Sequence, residues 1–228
     1  MKIYGATDIG LVRPTNQDCY YIDSEQNWAV VADGMGGHSG GETASTMSVE
    51  IIKQNMEKTG DPITAIEEAN RIVFQKSVDE PQLSGMGTTI VLCKLDGNKA
   101  QIAHVGDSRA YVVRDKGMEQ ITTDHSIVQQ LIDSGTITKE QSKYHPQRNL
   151  ITRAVGTEKG VAVDVNTVSV KENDFILLCS DGLCSYVEEN EIFDIIKNNA
   201  ADKAVGILVE AANNAGGKDN VTAVLIKG

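Results

Sequence analysis

Residues 30–42 read VVADGMGGHSGGE. An apolar, strand-like run ends on the carboxylate of Asp33, a glycine-rich loop follows, and a helical pattern begins at once. Three loop chemistries share this outline. A phosphate-binding P-loop needs a lysine behind its glycines, and no lysine occurs between Trp28 and Lys53. A dinucleotide loop, G-x-G-x-x-G, fails because the sixth position counted from Gly34 is Ser39. Gly37-His38-Ser39-Gly40-Gly41 does spell G-x-S-x-G, the nucleophile elbow of serine hydrolases. An elbow, however, places its serine at the turn directly after the strand, and here Asp33 to His38 intervene. Ser39-Gly40-Gly41-Glu42 also spells S-x-x-E ahead of a helical stripe, so Ser39 and Glu42 are expected to form a capping box. The residue left to explain is Asp33, since a carboxylate at a buried strand end is costly unless it is paired or metal-bound.

Outward from this loop, strand-like runs appear at residues 2–8, 19–22 and 28–32. Helical stripes follow at 42–57 and 62–77, the second with Pro62 in its first turn. Strand runs come next at 88–95, 100–105 and 110–114, the first two joined by the turn Asp96-Gly97-Asn98. Residues 124–157 are mixed and polar, with a short helix near 126–133. Strands at 161–170 and 175–179, helices at 188–198 and 202–214, and a strand at 221–226 complete the chain. Strands are mostly sequential neighbours and helices come in pairs, which is an α+β pattern of antiparallel sheets covered by helix pairs. Strands from both ends of the chain suggest one closed unit over residues 1–228.

The 228 residues carry a net charge of −11, with 40% hydrophobic and 23% charged residues. That balance fits a soluble domain with a substantial core, and its acidity argues against binding nucleic-acid phosphates. No apolar run approaches the about 18 residues of a membrane span, and MKIYGATDIG has no signal-peptide core. Cys19, Cys93, Cys179 and Cys184 lack zinc-site spacing and read as free thiols in a reducing compartment. A cytoplasmic location is expected, with neither membrane nor nucleic acid as a partner.

Asp33 does not stand alone. Asp107 follows the run Ile102–Val105, Asp181 follows Phe175–Cys179, and Asp219 precedes the last strand. If adjacent strands carry these to one edge, four carboxylates converge, and uncompensated they would repel strongly. All-oxygen sites of this kind suit Mg or Mn. Two close metals could hold a bridging water and make hydroxide at neutral pH, which is the machinery of phosphoester hydrolysis. Arg13, in GLVRPTNQD, is a candidate to grip phosphate oxygens.

Taken in order, Arg13-x-x-Asn16-Gln17-Asp18, Asp33-Gly34-Met35-Gly36-Gly37-His38, Gly85-Met86-Gly87-Thr88-Thr89, Gly106-Asp107-Ser108-Arg109, Asp124-His125-Ser126, Cys179-Ser180-Asp181-Gly182 and Asp219-Asn220-Val221-Thr222 resemble the motifs of the bacterial metal-dependent protein phosphatases, the type-2C or PPM family. The resemblance runs from about residue 5 to residue 226. It implies a β-sandwich of two antiparallel sheets flanked by helix pairs, in four layers α-β-β-α, with a metal cluster at one end. It implies that Asp33 bridges two Mn or Mg ions, that the Gly34 carbonyl joins one, and that Asp181 and Asp219 ligate the second. Asp107 with Asp181 would form a third site. Asp18 would act through metal-bound water, Arg13 would hold the substrate phosphate, and His38 would be the general acid. Residues 135–154 would form a flap beside the site. The chain departs from many members in carrying Gln17 for glutamate, and its histidine follows Asp33 at a greater distance than in eukaryotic members.

The expected activity is hydrolysis of phosphoserine and phosphothreonine in proteins by direct attack of the metal-bridging hydroxide, with a partner serine/threonine kinase implied by the family. The rivals are a serine hydrolase using Ser39 and a non-catalytic phosphoprotein-binding module on the same fold. Of the other histidines, His104 reads as a core residue, His125 as a help to helix capping, and His145 as part of the flap.

Overall fold

The computed structural model describes residues 2–37 and 39–228. In chain order its elements are β1 (Lys2–Asp8), β2 (Asp18–Asp23), β3 (Trp28–Met35), α1 (Gly40–Thr59), α2 (Pro62–Asp79), β4 (Gly87–Thr88), β5 (Ile90–Asp96), β6 (Lys99–Val105), β7 (Arg109–Arg114), β8 (Gly117–Gln120), α3 (Ile127–Asp133), α4 (Lys139–Ser142), β9 (Asp164–Ser169), β10 (Phe175–Cys179), α5 (Asp181–Cys184), α6 (Glu189–Asn198), α7 (Ala201–Asn214) and β11 (Val221–Lys227). They form two antiparallel sheets. One runs β1-β11-β10-β7-β8 and the other β2-β3-β5-β6-β9, with β4 paired to β3.

The layering follows from how the strands alternate. On β3, Trp28, Val30 and Ala32 face α1 and α2, whereas Ala29 and Val31 face the other sheet. On β10, Leu177 and Cys179 face α6 and α7, whereas Ile176 and Leu178 face inward. Both faces are apolar because both are covered, which is why these strands read as continuous hydrophobic runs. Three packed layers of side chains result, and the order α-β-β-α expected from the sequence is observed. α2 is capped as its sequence suggests: the Asp61 carboxylate accepts from the Thr64 amide at 3.1 Å, with Pro62 in the first turn.

Two local expectations change. β3 does not stop at Ala32 but continues through Asp33 and Gly34 to Met35, because β4 pairs with its end. The Ser39 capping box is not formed. Ser39 occupies the N-cap position of α1, but its backbone is already helical (φ −112°, ψ −1°) and its side chain makes no cap bond. An extended backbone is what normally aims an N-cap hydroxyl at the first amides. Short elements at 117–120, 139–142 and 181–184 also have too few residues to show a period.

The four cysteines are free thiols. Among the described residues no helix is long and apolar enough to cross a membrane.

Candidate metal and phosphate site

The antiparallel registers bring the acidic residues to one end of the sandwich. Asp18 lies directly opposite Asp33 across β2 and β3. Cys179, at the end of β10, pairs with Arg109 at the start of β7, so Asp181 and Asp107 leave neighbouring strands at the same edge. Asp219 precedes β11, whose Ala223 is also opposite Cys179. The four aspartates singled out in the sequence, and Asp18 with them, therefore converge.

Asp18 and Asp33 are positioned by neutral groups. Asp18 accepts from the Ser180 and Thr222 hydroxyls, both at 2.7 Å and both on its Oδ2. Its Oδ1 is buried without a partner. Those two bonds tie β2 of one sheet to the other sheet at the site. The Asp33 backbone is held by Thr89, whose hydroxyl accepts the Asp33 amide at 3.0 Å and whose amide donates to the Asp33 carbonyl at 2.8 Å. Gly34 is a glycine by necessity, since a Cβ there would meet the Gly41 and Gln17 carbonyl oxygens. The first turn of α1 thereby packs directly against the end of β3, and its backbone dipole favours negative charge on that side.

The electrostatics express this crowding. Burial, then the charges of Asp18, Asp181, Asp107 and Asp219, hold the Asp33 carboxyl well above the usual carboxylate range. Burial is also the largest cause at Asp18, pushed up to about 7, at Asp107, pushed up to about 8 with Asp181 adding to it, and at Asp181, pushed up to about 6 with Asp219 adding to it. Like carboxylates that raise one another this way want a cation.

Arg13 supplies one positive charge. Its Nη2 donates to Asp219 Oδ2 at 2.8 Å, and that bond, with the charges of Asp219, Asp181 and Asp33, raises the guanidinium further. The side chain is half exposed, at 52%, so its remaining N–H groups face solvent at the cluster. Among the described residues, three ligand atoms within 4.8 Å of one another occur at His104, His125 and Asp164, not within the aspartate cluster, where Asp219 is turned to Arg13. The donor set still fits hard divalent cations: it is all carboxylate, and the orphaned Asp18 Oδ1 and the raised carboxyls are what a cation would relieve.

A cleft of about 810 Å³ opens from Asp107 and Asp181, between residues 139–149 on one wall and 184–190 on the other. Lys143 and Lys139 bridge these walls, donating to Glu188 and Glu189 at 2.8 and 3.1 Å. The expected flap therefore borders the site. His145 lies in it, half-buried, its ring accepting the Gln147 amide. The general-acid expectation for His38 lies outside the described residues.

Several supporting residues carry no signal in isolation. Asn220 is the clearest: its Oδ1 accepts the Gln17 amide at 2.8 Å, and its Nδ2 donates to the carbonyls of Ile9 and Thr15, both at 2.9 Å. One buried amide thus shapes the whole loop that presents Arg13 and Asp18. Arg109 makes a bidentate pair with Asp124, its closest N–O distance 2.7 Å. For Asn220 the available signal was a polar side chain directly before β11, but its partners lie 203 to 211 residues away in sequence.

A two-sheet sandwich with a carboxylate cluster and an adjoining arginine at one end is the architecture of a metal-dependent phosphoester hydrolase. The protein phosphatase 2C family model matches residues 13–216. The serine/threonine phosphatase Stp of Listeria welshimeri is 37% identical over 235 residues, covering 97% of this chain and 93% of its own length. The crystal structure of the Mycobacterium tuberculosis serine/threonine phosphatase PstP superposes with a TM-score of 0.91 at 36% identity, covering 98% and 97% of the two chains. A PstP catalytic domain in complex with two manganese ions gives a TM-score of 0.87 at 34% identity, covering 98% and 96%. The chain belongs to the protein phosphatase 2C family.

Proposed function

We propose that this enzyme is a metal-dependent phosphatase that removes phosphate from phosphoserine and phosphothreonine in proteins, with Mn or Mg as its cofactor. The observation that carries the reading is the convergence of Asp18, Asp33, Asp107, Asp181 and Asp219 beside Arg13, in a chain that matches serine/threonine phosphatases over nearly its whole length.

Asp33, the Gly34 carbonyl, Asp181 and Asp219 are the residues that would hold two divalent cations, and Asp107 with Asp181 a third. When bound, such cations neutralise charge on the phosphoryl group and make a water nucleophilic at neutral pH. Asp18 sits behind them, held by Ser180 and Thr222, and fixes the orientation of groups in front of it. Arg13 binds the phosphate with the N–H groups that Asp219 does not use, a planar fork suited to phosphate oxygens. The Asp219 contact aims that fork at the cluster. Displacement is direct, without a phosphoenzyme: Ser39 is exposed and caps nothing, and no Cys-x5-Arg loop exists in the sequence. The substrate chain lies in the cleft beside residues 139–149, and a serine/threonine kinase supplies its phosphate.

The test is hydrolysis of a phosphothreonine peptide by chelator-treated protein, then with manganese restored. Activity that vanishes and returns supports the reading. Activity indifferent to chelation would favour the serine-hydrolase rival, and a folded, manganese-loaded protein that binds the peptide without cleaving it would favour the binding module.

A further inference from the structure

His104, His125 and Asp164 lie outside the aspartate cluster, and their ligand atoms approach within 4.8 Å. The histidines are buried, 1% and 8% exposed, and their rings stack with centroids 4.8 Å apart and 16° between planes. The spacing suggests a metal site, but the hydrogen bonds assign the protons differently. The Gly106 amide donates to His125 Nδ1 at 3.0 Å, so Nδ1 presents its lone pair and a neutral ring carries its proton on Nε2. That nitrogen faces Asp164 Oδ2 at 3.3 Å, leaving no lone pair there for a cation. Arg153 occupies the other Asp164 oxygen. His104 Nε2 donates to the Thr123 carbonyl at 3.0 Å, which leaves its buried Nδ1 as the one ring nitrogen of the pair with an unshared lone pair, too few for a cation site.

His125 is tied at its backbone and at Nδ1. Its amide donates to the Gly106 carbonyl at 3.0 Å, and its own carbonyl accepts from Thr152 at 2.7 Å. Gly106 is thus clasped at both its N–H and its C=O by one residue. The turn needs such a clasp: Gly106 has φ +104°, and a Cβ there would press on Thr89, the residue that also holds the Asp33 backbone. Thr152 and Arg153 belong to the base of the flap, which continues into the bridge from Val155 to Thr88.

We infer that His125 is a positioning residue for the Gly106–Asp107 turn, its neutral ring oriented by Asp164 and Arg153, so that the base of the flap and the Asp107 turn are held as one unit. Burial, then the charges of His104 and Arg153, hold its imidazole below the ordinary value, which favours the neutral ring. The effect on cation binding rests on the reading of Asp107 as a ligand; the clasp itself does not.

Two measurements on metal-free protein test the clasp. Nitrogen-15 NMR of the histidine rings should show His125 protonated on Nε2, and the Gly106 amide should exchange slowly. In His125→Asn the amide oxygen replaces Nδ1 as acceptor and protection should persist. In His125→Gln the amide reaches the Nε2 position instead, and exchange should quicken roughly tenfold. An Nδ1-protonated ring, or equal exchange in the two variants, would overturn the inference. Manganese titration by electron paramagnetic resonance then reads the consequence. The Gln variant should lose about 10- to 100-fold in its weakest manganese site and the Asn variant little, at equal melting temperatures. Normal clasp behaviour with no change in any manganese site would count against Asp107 as a ligand and leave the positioning of the turn standing.

Discussion

Asp18→Asn isolates the cost of the carboxylate cluster. Asp18 has its Oδ2 satisfied by Ser180 and Thr222, its Oδ1 buried without a partner, and its carboxyl raised from 3.8 to about 7, burial being the main cause. At roughly 1.4 kcal/mol per tenfold, that displacement corresponds to about 4 kcal/mol held against folding of the metal-free protein when the group is ionised. The other aspartates share this cost, so it is a ceiling. In the variant the amide oxygen can take both hydroxyl bonds, and the amide nitrogen falls where Oδ1 now lacks a partner, at about 1–3 kcal/mol. The balance is a stabilisation of about 2 kcal/mol, or roughly 4–8 °C in melting temperature for a domain of this size.

The sign with pH follows from the direction of the shift. The native carboxyl lies above its unfolded value, so its cost is present in full above about 7 and fades as pH falls toward 3.8. In chelator, Asp18→Asn should melt above wild type at pH 8, and the gap should narrow by pH 5. With saturating manganese the wild type should recover the larger part, because the cation binds the native state and relieves the carboxylate. Thermal unfolding by circular dichroism at the two pH values, with and without manganese, reads all four conditions. A metal-free variant that melts below wild type at pH 8, or a gap independent of pH, would refute the electrostatic argument.

Two further outcomes are expected. Arg13→Ala should lower kcat/KM on an aryl phosphate by about 100-fold, because it removes a charged phosphate donor, and it should tighten manganese binding by freeing Asp219; calorimetric titration of manganese checks the second part. Ser39→Ala should leave melting temperature and activity unchanged, within about 0.5 kcal/mol, since the hydroxyl makes no cap bond; circular dichroism and aryl-phosphate assays read it.

The parts of this molecule that were legible in sequence are those with a local signature. The strands announce themselves because both faces are buried, so Trp28–Ala32 and Phe175–Cys179 are apolar without interruption. Asp33, Asp107 and Asp181 stand out because each breaks such a run. What stayed hidden depends on contacts between distant segments. Nothing local about Asn220 tells that it shapes the loop of residues 9–17, and nothing about Ser180 and Thr222 that both serve Asp18. His125 looked like a capping residue beside Ser126, whereas Ser126 caps α3 alone, accepting from the Gln129 amide, and the His125 ring turns to Gly106. The Ser39-x-x-Glu42 motif misled for the converse reason: its spacing is right, but the tight approach of Gly41 to Gly34 sets a helical backbone at Ser39 that no motif encodes.

The most direct test of the central claim is Asp33→Asn assayed on a phosphoserine peptide with saturating manganese, beside wild type. The account predicts a folded variant, verified by circular dichroism, that has lost at least about 100-fold in kcat and binds manganese more weakly by titration. A variant as active as wild type, with unchanged manganese binding, would contradict it.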